Sequence, residues 1–396
     1  MKILFIHNDY AKYSGEEHAI ESIASLLAEH GHEIVWYRRS SLEISGSRLG
    51  QAKAFVAALH NPSAIKDVVL LVEKENPDLA FVQNLYPLIS PSVLRILHRQ
   101  KVPIVMRCPN YRLLCPNGLL FSHGEVCEKC LGHGREFWCV MRNCENSIPK
   151  SIGYALRHAV ARLRRIIRSS VDVFIVLSQF QRKYFIRNGL PEECLSVVPN
   201  MVPVSVNDDI EPGGGSVIGF VGRIAQEKGF CDFIEAARQL PQLKFEAAGS
   251  IKDGYDIGDL PENIVMRGFL SGEVFEKFIA DMQMLVSSSG CFEGFPNTIT
   301  QAMAAGRPVI ATTGGVAPEI VDDGVTGLLY APGDVGLLVQ HVRQLVGDVD
   351  MRRSMGEAGR EKALRCYSHD TVYKTLMVAF EKARKDAGCR LSGSRS

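Results

Sequence analysis

The chain has 396 residues, 46% hydrophobic and 22% charged, which at roughly 100–200 residues per domain predicts two to four domains and excludes disordered, collagen-like and disulfide-scaffold classes. Lys+Arg total 45 against 44 Asp+Glu, a net charge of +1, so no whole-chain field draws in nucleic acid or an anionic membrane, and such a partner needs a local patch. The first apolar run turns polar at His7, too early for a signal-peptide core, and no segment approaches the roughly 18 apolar residues of a membrane span. A cytoplasmic protein is expected, at most peripheral at the inner face of a membrane.

Short β-rich runs alternate with amphipathic stretches, the pattern of parallel sheets with crossover helices. Residues 2–6 predict a strand, followed by a polar loop through Gly15, a helix over 17–29, a stop at Gly31 and a strand at 33–37. That is a βαβ unit. Further strands are predicted at 79–82, 104–106, 171–176 and 196–198, with helices at 63–75, 92–100, 151–169 and 179–188. A cysteine-rich segment, about 108–147, interrupts this rhythm as an insert. Residues 204–216, with Asp208-Asp209, Pro212 and Gly213-Gly214-Gly215, read as a linker. A second series then has strands at 217–221, 244–247, 264–266, 285–287 and 308–311 and helices at 230–239, 271–281, 298–305 and 335–346. The pattern predicts two doubly wound, Rossmann-like α/β domains, 1–204 and 216–365, facing across a cleft, with ligands at the carboxyl ends of the strands. Residues 366–396 are expected to form a helix packing back on the first domain, with a disordered tail after Gly388.

The chemistry-bearing residues concentrate in the second half. Gly222-Arg223 follows a strand, and Lys228-Gly229 leads into a helix at Phe230. Two cations and a glycine-rich bend at a helix N-terminus make an anion site, suited to the charge that develops on a diphosphate leaving group. The alternative is a solvated loop whose cations pair with acids such as Glu227. Downstream, Glu293-Gly294-Phe295-Pro296-Asn297-Thr298 runs into a helix through Gln301. Asn297 or Thr298 can cap that helix, whose free N–H groups then point into the cleft, and a carboxylate before it can accept hydrogen bonds from ligand hydroxyls.

With these motifs in this order, nearly the whole chain resembles a family-4 retaining glycosyltransferase of the two-domain GT-B architecture. The resemblance implies transfer of a sugar from a nucleotide-diphosphate donor (UDP, GDP or ADP) to a glycan, lipid-linked or small-molecule acceptor, with no catalytic metal and no nucleic-acid partner. It implies that Arg223 and Lys228 bind the diphosphate and that Glu293, the first acid of a Glu-x7-Glu motif, contacts the donor sugar. Gly222, Phe295, Pro296, Asn297 and Thr298 then bring backbone groups to the donor, and Arg267-Gly268-Phe269 lies against the base. The first domain's Tyr13-Ser14-Gly15-Glu16-Glu17 matches a glycine-rich loop in which Gly15 admits the diphosphate.

Two positions depart from the family. Gln301 stands for the second acid, which should hold the ribose; a neutral acceptor there predicts donor binding weaker by about 1 kcal/mol. Pro109 stands where a histidine is often found, leaving Arg107, Asn110, Tyr111 or Arg112 for the acceptor side. These losses support a competing reading, a non-catalytic subunit that binds glycan or a partner protein.

Six of the eleven cysteines fall in the insert. Cys127-x2-Cys130 with Cys115 and Cys144, or Cys139 in place of the last, has a spacing that can hold a structural zinc; redox-active thiols and an iron–sulfur cluster stay open. Residues 151–169 carry six basic side chains, Arg157, His158, Arg162, Arg164, Arg165 and Arg168. They read as a solvated face over a buried apolar stripe, or as a surface for an anionic membrane or lipid diphosphate.

Overall fold

The fold is that of a computed structural model, which describes residues 1–11, 15–44, 48–202 and 211–393. Tyr13 and Ser14, and the linker residues 203–210, lie outside it.

The first domain runs β1 (Lys2–Asp9), α1 (Gly15–Glu29), β2 (Glu33–Ser40), α2 (Arg48–Leu59), α3 (Pro62–Glu75), β3 (Leu79–Val82), α4 (Ser92–Arg99) and β4 (Ile104–Arg107). The insert follows, with a two-residue-per-strand hairpin of β5 (Phe121–Ser122) and β6 (Glu125–Val126), then α5 (Phe137–Met141), α6 (Ile148–Leu163) and α7 (Ile166–Ser170). β7 (Val173–Val176), α8 (Gln179–Arg187) and β8 (Leu195–Val197) complete a sheet ordered β2-β1-β3-β4-β7-β8. The second domain comprises β9 (Val217–Val221), α9 (Phe230–Gln239), β10 (Phe245–Ala248), β11 (Ile264–Gly268), α10 (Gly272–Ala280), β12 (Met282–Ser287), α11 (Asn297–Ala304), β13 (Val309–Thr312), α12 (Ala317–Ile320), β14 (Gly327–Tyr330), α13 (Val335–Gly347) and the start of α14 (Val349–Tyr367). Its sheet is ordered β11-β10-β9-β12-β13-β14.

Both six-stranded sheets are parallel throughout. Strands covered by helices on both faces need apolar side chains in both directions, and β3, β4, β7 and β13 are buried at every residue. The strand order reverses beside β1 in one sheet and between β9 and β12 in the other, so each sheet opens a crevice at its carboxyl edge.

α14 crosses back toward the first domain, and α15 (His369–Gly393) packs on its sheet. Val372, Leu376, Phe380 and Ala383 are buried with Ile3 and Phe5, and the Phe380 ring lies 5.8 Å from that of Phe81. At the crossing the Val202 N–H donates to the Tyr367 carbonyl at 2.9 Å, so the two places where the chain changes domain are joined side by side. The last helix passes Gly388, where the sequence placed the start of a disordered tail, and continues to Gly393.

Three expectations need correction. The described end of the predicted linker is packed, with the Gly213 N–H donating to the Gly306 carbonyl and the Gly213 carbonyl accepting from Arg352 at 2.7 Å. β14 falls where no strand is predicted, because Gly324 and its own first residue, Gly327, stand three apart and together read as a turn. The largest difference is α6. Ile148, Ile152, Leu156 and Leu163 are exposed, whereas Arg157 is buried against the Tyr154 and Tyr86 rings, at 3.8 and 4.5 Å. His158 and Arg162 turn inward to the buried Glu136. The helix is inverted relative to the solvated-face reading.

Candidate active site

The second domain builds its part of the site from the loops after β9 and β12. A turn of 3-10 helix, Gln226–Lys228, ends at Gly229, whose φ of +65° starts α9. A Cβ on Gly229 would fall 1.8 Å from the Ser288 carbonyl oxygen, so only glycine lets the two loops close on each other. They are then stitched: Ser288 Oγ donates to the Gly229 carbonyl at 2.8 Å, and the Gly290 N–H to that of Glu227 at 3.1 Å.

This closure brings Lys228 Nζ to 2.7 Å from Glu293 Oε2. Burial alone would lower the Lys228 pKa, but Glu293 outweighs it and holds the ammonium above its ordinary value. Arg223 reaches Glu227 at 2.6 Å, the acid the solvated-loop alternative named, and Lys252 reaches the same carboxylate at 3.1 Å. Glu227 is buried; burial raises its pKa, yet a backbone amide and the two cations keep it low. The sequence reading gave Glu227 only a neutralising role, but it is the hub that aims Arg223, while Lys228 is left to Glu293.

From the first domain, the carboxyl ends of β1 and β4 face this pair. Gly15 opens α1 with nothing within 4 Å of where a Cβ would stand. Asn110 donates to Glu16 at 2.8 Å, and the buried Tyr111 hydroxyl reaches the Glu293 carbonyl at 3.4 Å. Pro109, which lacks the expected side-chain function, is where the domains touch: a Cβ on Gly294 would lie 2.2 Å from the Pro109 carbonyl oxygen. Between them lies a cavity of about 340 Å³ lined by Gly15, Asn110, Tyr111, Arg223, Lys228, Glu293, Phe295 and Asn297, among others.

Asn200 was not anticipated. It accepts from the buried Arg107, which also donates to Gln83 at 2.6 Å, and donates to Asn297 Oδ1 at 2.6 Å. The Asn297 side chain is thereby committed across the cleft. Pro296 occupies the cap position of α11 with no side-chain cap, so neither Asn297 nor Thr298 caps it, and the first N–H groups of α11 lack a side-chain acceptor.

Other predicted site residues lie elsewhere. Gln301 faces a second cavity of about 530 Å³ between α1 and α10, which shares Asn200 and Asn297 with the first. Arg267 sits on the edge strand β11, bound twice to Glu246 at 2.6 Å, and lines a surface hollow with Val217 and Lys277. Phe269 is 68% exposed at the end of that strand. Arg112 is turned away from Glu293, toward Asn84 and the basic hollow beneath α6. Gly222, Pro296 and Thr298 stand beside the site without lining the cavity.

Four thiols influence one another: hydrogen bonding links Cys115 with Cys130 and Cys139 with Cys144, and charge couples Cys130 to Cys139 and Cys144 and Cys139 to Cys115. Cys127 is buried, with its N–H donating to the Leu120 carbonyl at 2.8 Å. A tetrathiolate zinc wants every S–S separation near about 3.8 Å. Among the described residues, the group of three ligand atoms mutually within 4.8 Å is instead His7, Asp9 and Glu17, where Arg38 already holds Asp9 at 2.8 Å. Hydrogen bonding from Cys139 leads the effects that bring Cys144 down to about 6, and raises Cys139 in turn.

Two parallel sheets with the crevice loops between them make a GT-B architecture. Residues 215–348, most of the second domain, match the family described as Glycosyl transferases group 1. Among solved structures, Anabaena HepE in complex with UDP and glucose is similar over 96% of this chain and 99% of its own, at a TM-score of 0.66 and 19% identity. Sucrose-phosphate synthase from Thermosynechococcus elongatus is similar over 96% and 99%, at 0.66 and 16%. The 2-deoxystreptamine N-acetyl-D-glucosaminyltransferase of Streptomyces fradiae is 28% identical over 56% of each chain. The capsular polysaccharide glycosyltransferase CapM of Staphylococcus aureus is 25% identical over 43% of this chain and 47% of its own. The chain thus spans about half the length of these curated relatives. Among the described residues, no helix is long and apolar enough to cross a membrane.

Proposed function

We propose that the protein is a retaining glycosyltransferase that moves a sugar from a nucleotide diphosphate to the hydroxyl of a glycan or lipid-linked acceptor. The observation that carries this reading is the Lys228–Glu293 pair at 2.7 Å, with Arg223 beside it, in a cavity whose far wall is the N-terminus of α1. A diphosphate entering there meets two fixed cations and the amides of α1 and α11, which stabilise the charge that grows as the sugar–phosphate bond breaks. Glu293 then exchanges Lys228 for the sugar's hydroxyls. The acceptor hydroxyl, approaching from the Asn110 and Tyr111 side, attacks C1 on the face the leaving group departs from and gives its proton to a diphosphate oxygen. Because the protein supplies the positive charge, catalysis is assigned no metal.

UDP and glucose bound in HepE, and the N-acetyl-D-glucosaminyl transfer named for the Streptomyces fradiae relative, support a nucleotide-sugar donor. The test is a thermal-shift panel of UDP, GDP and ADP sugars, followed by nucleotide release from the hit. A ligand at 100 times its Kd adds about 2.7 kcal/mol of stability. The expected result is one base that shifts the melt and release that falls at least a hundredfold in Glu293→Ala. Release undiminished in Glu293→Ala overturns the reading, and no shift with any nucleotide transfers the assignment to a non-catalytic glycan-binding subunit.

A further inference from the structure

The inversion of α6 leaves a surface that the proposed reaction does not use. At 100° per residue, Ile148, Ile152, Leu156 and Leu163 fall within an arc of roughly 80° on α6. All four point outward, and Phe137 and Met141 of the adjacent α5 join them; these six side chains are between 42% and 73% exposed. Scattered apolar residues on a surface are ordinary, but a continuous stripe on one helix and its neighbour marks a face that something covers.

The helix cannot relieve this by rolling. Its inner face is polar and fully engaged: Arg157 lies between two tyrosine rings, Arg162 and His158 hold the buried Glu136, and His158 also reaches the Leu113 carbonyl at 3.1 Å. Turning the stripe inward would put those charges outside and strand Glu136. The apolar face is therefore outward by construction.

The charge around the stripe says what covers it. Of the seven Lys and Arg from Phe137 to Ser169, Arg157 and Arg162 turn inward and Arg142 pairs with Glu125, which leaves Lys150, Arg164, Arg165 and Arg168 exposed against a single acid in that stretch, Glu145. Exposed Lys150 stands at the first turn of α6, and exposed Arg164 and Arg165 directly follow its last. An apolar band flanked by cations, with almost no anions, matches the cross-section of an anionic lipid leaflet, whose headgroups meet the basic ends while the acyl boundary takes the band. A second copy of the chain would bring like charges together at both ends of the same helix. We infer that α5 and α6 form a docking face for an anionic lipid bilayer, on which the first domain lies with its insert against the membrane.

The test is co-sedimentation of the full chain with vesicles of phosphatidylcholine alone and with 30% phosphatidylglycerol. The expected result is partition onto the anionic vesicles at least tenfold stronger than onto the neutral ones, weakened by salt. The exposed-site variant Leu156→Glu/Leu163→Glu should lose at least tenfold while melting normally and releasing nucleotide from donor at the wild-type rate. Arg164→Glu/Arg165→Glu should lose binding to anionic vesicles alone. Equal partition of wild type and Leu156→Glu/Leu163→Glu overturns the proposal. So does a wild type that ignores both vesicles yet self-associates in sedimentation equilibrium through this face, which would give it to a second copy. The vesicle and self-association readouts do not need the donor site, so this inference and the proposed function fail separately.

Discussion

The two walls of the cleft are built on different principles. The second domain's wall is charged and glycine-shaped: Arg223, Lys228 and Lys252 are arranged by two carboxylates, one of them buried, and the loops close only because Gly229 carries no side chain. The first domain's wall is a hydrogen-bonded lattice in which Arg107, Gln83, Asn200, Asn110 and Glu16 satisfy one another. A charged wall holds any diphosphate, while a lattice of donors and acceptors that hold one another fixed suits discrimination among hydroxyls. On the proposed reaction, the donor side therefore carries the rate and the acceptor side the choice.

The hardest blow to that contrast falls on the charged wall. Lys228→Ala removes the cation nearest the leaving group and should lower kcat about a hundredfold, the scale of losing one preorganised charge-stabilising group. Steady-state kinetics checks this, and an unchanged kcat contradicts it. Asn110→Ala on the opposite wall should raise the acceptor KM about tenfold and leave donor hydrolysis in the absence of acceptor within about twofold, a loss of one hydrogen bond to a neutral partner. Equal losses in both assays would erase the division of labour.

Smaller effects sharpen it in the insert. Burial pushes the Glu136 carboxyl up, but hydrogen bonds from His158 and Arg162 win and hold it at about 2, below its ordinary 4.5. A depressed folded pKa contributes stability above pH 4.5 that is lost as the pH falls toward 2. Glu136→Gln should thus flatten the acid limb of the melting-temperature profile, with a shift of about 2–4 °C for each kcal/mol removed. A limb as steep as wild type sinks this. The smallest perturbation is Cys144, whose alkylation rate should rise with pH through a midpoint near 6 and, in Cys139→Ser, through a higher one. Mass-spectrometric footprinting reads both.

The same division decides what the sequence could reveal. Lys228, Glu293 and the glycines around them are legible because charge at a helix start and tight loops each demand particular residues at short spacing. Strands such as Leu79–Val82 were equally plain, since parallel strands buried on both faces must be apolar at every position. The first wall was only partly legible: Asn110 and Tyr111 adjoin a recognisable motif, but Asn200 does its work by bridging Arg107 and Asn297, residues far apart in the chain. Periodicity located α6 and misjudged which face is outward, because the inward position of Arg157 depends on Tyr86, some seventy residues earlier. Arg267 was misplaced for a like reason, as its partner Glu246 stands on the neighbouring strand.

The chain passes between the domains twice, and the two passages lie side by side, tied where the Val202 N–H meets the Tyr367 carbonyl. One tether would let the second domain swivel freely; a doubled seam works as a door hinge, admitting rotation about one line and resisting slide and twist. On the proposed reaction, opening about that line admits the donor and closing about it excludes water, so one rotation serves both entry and protection.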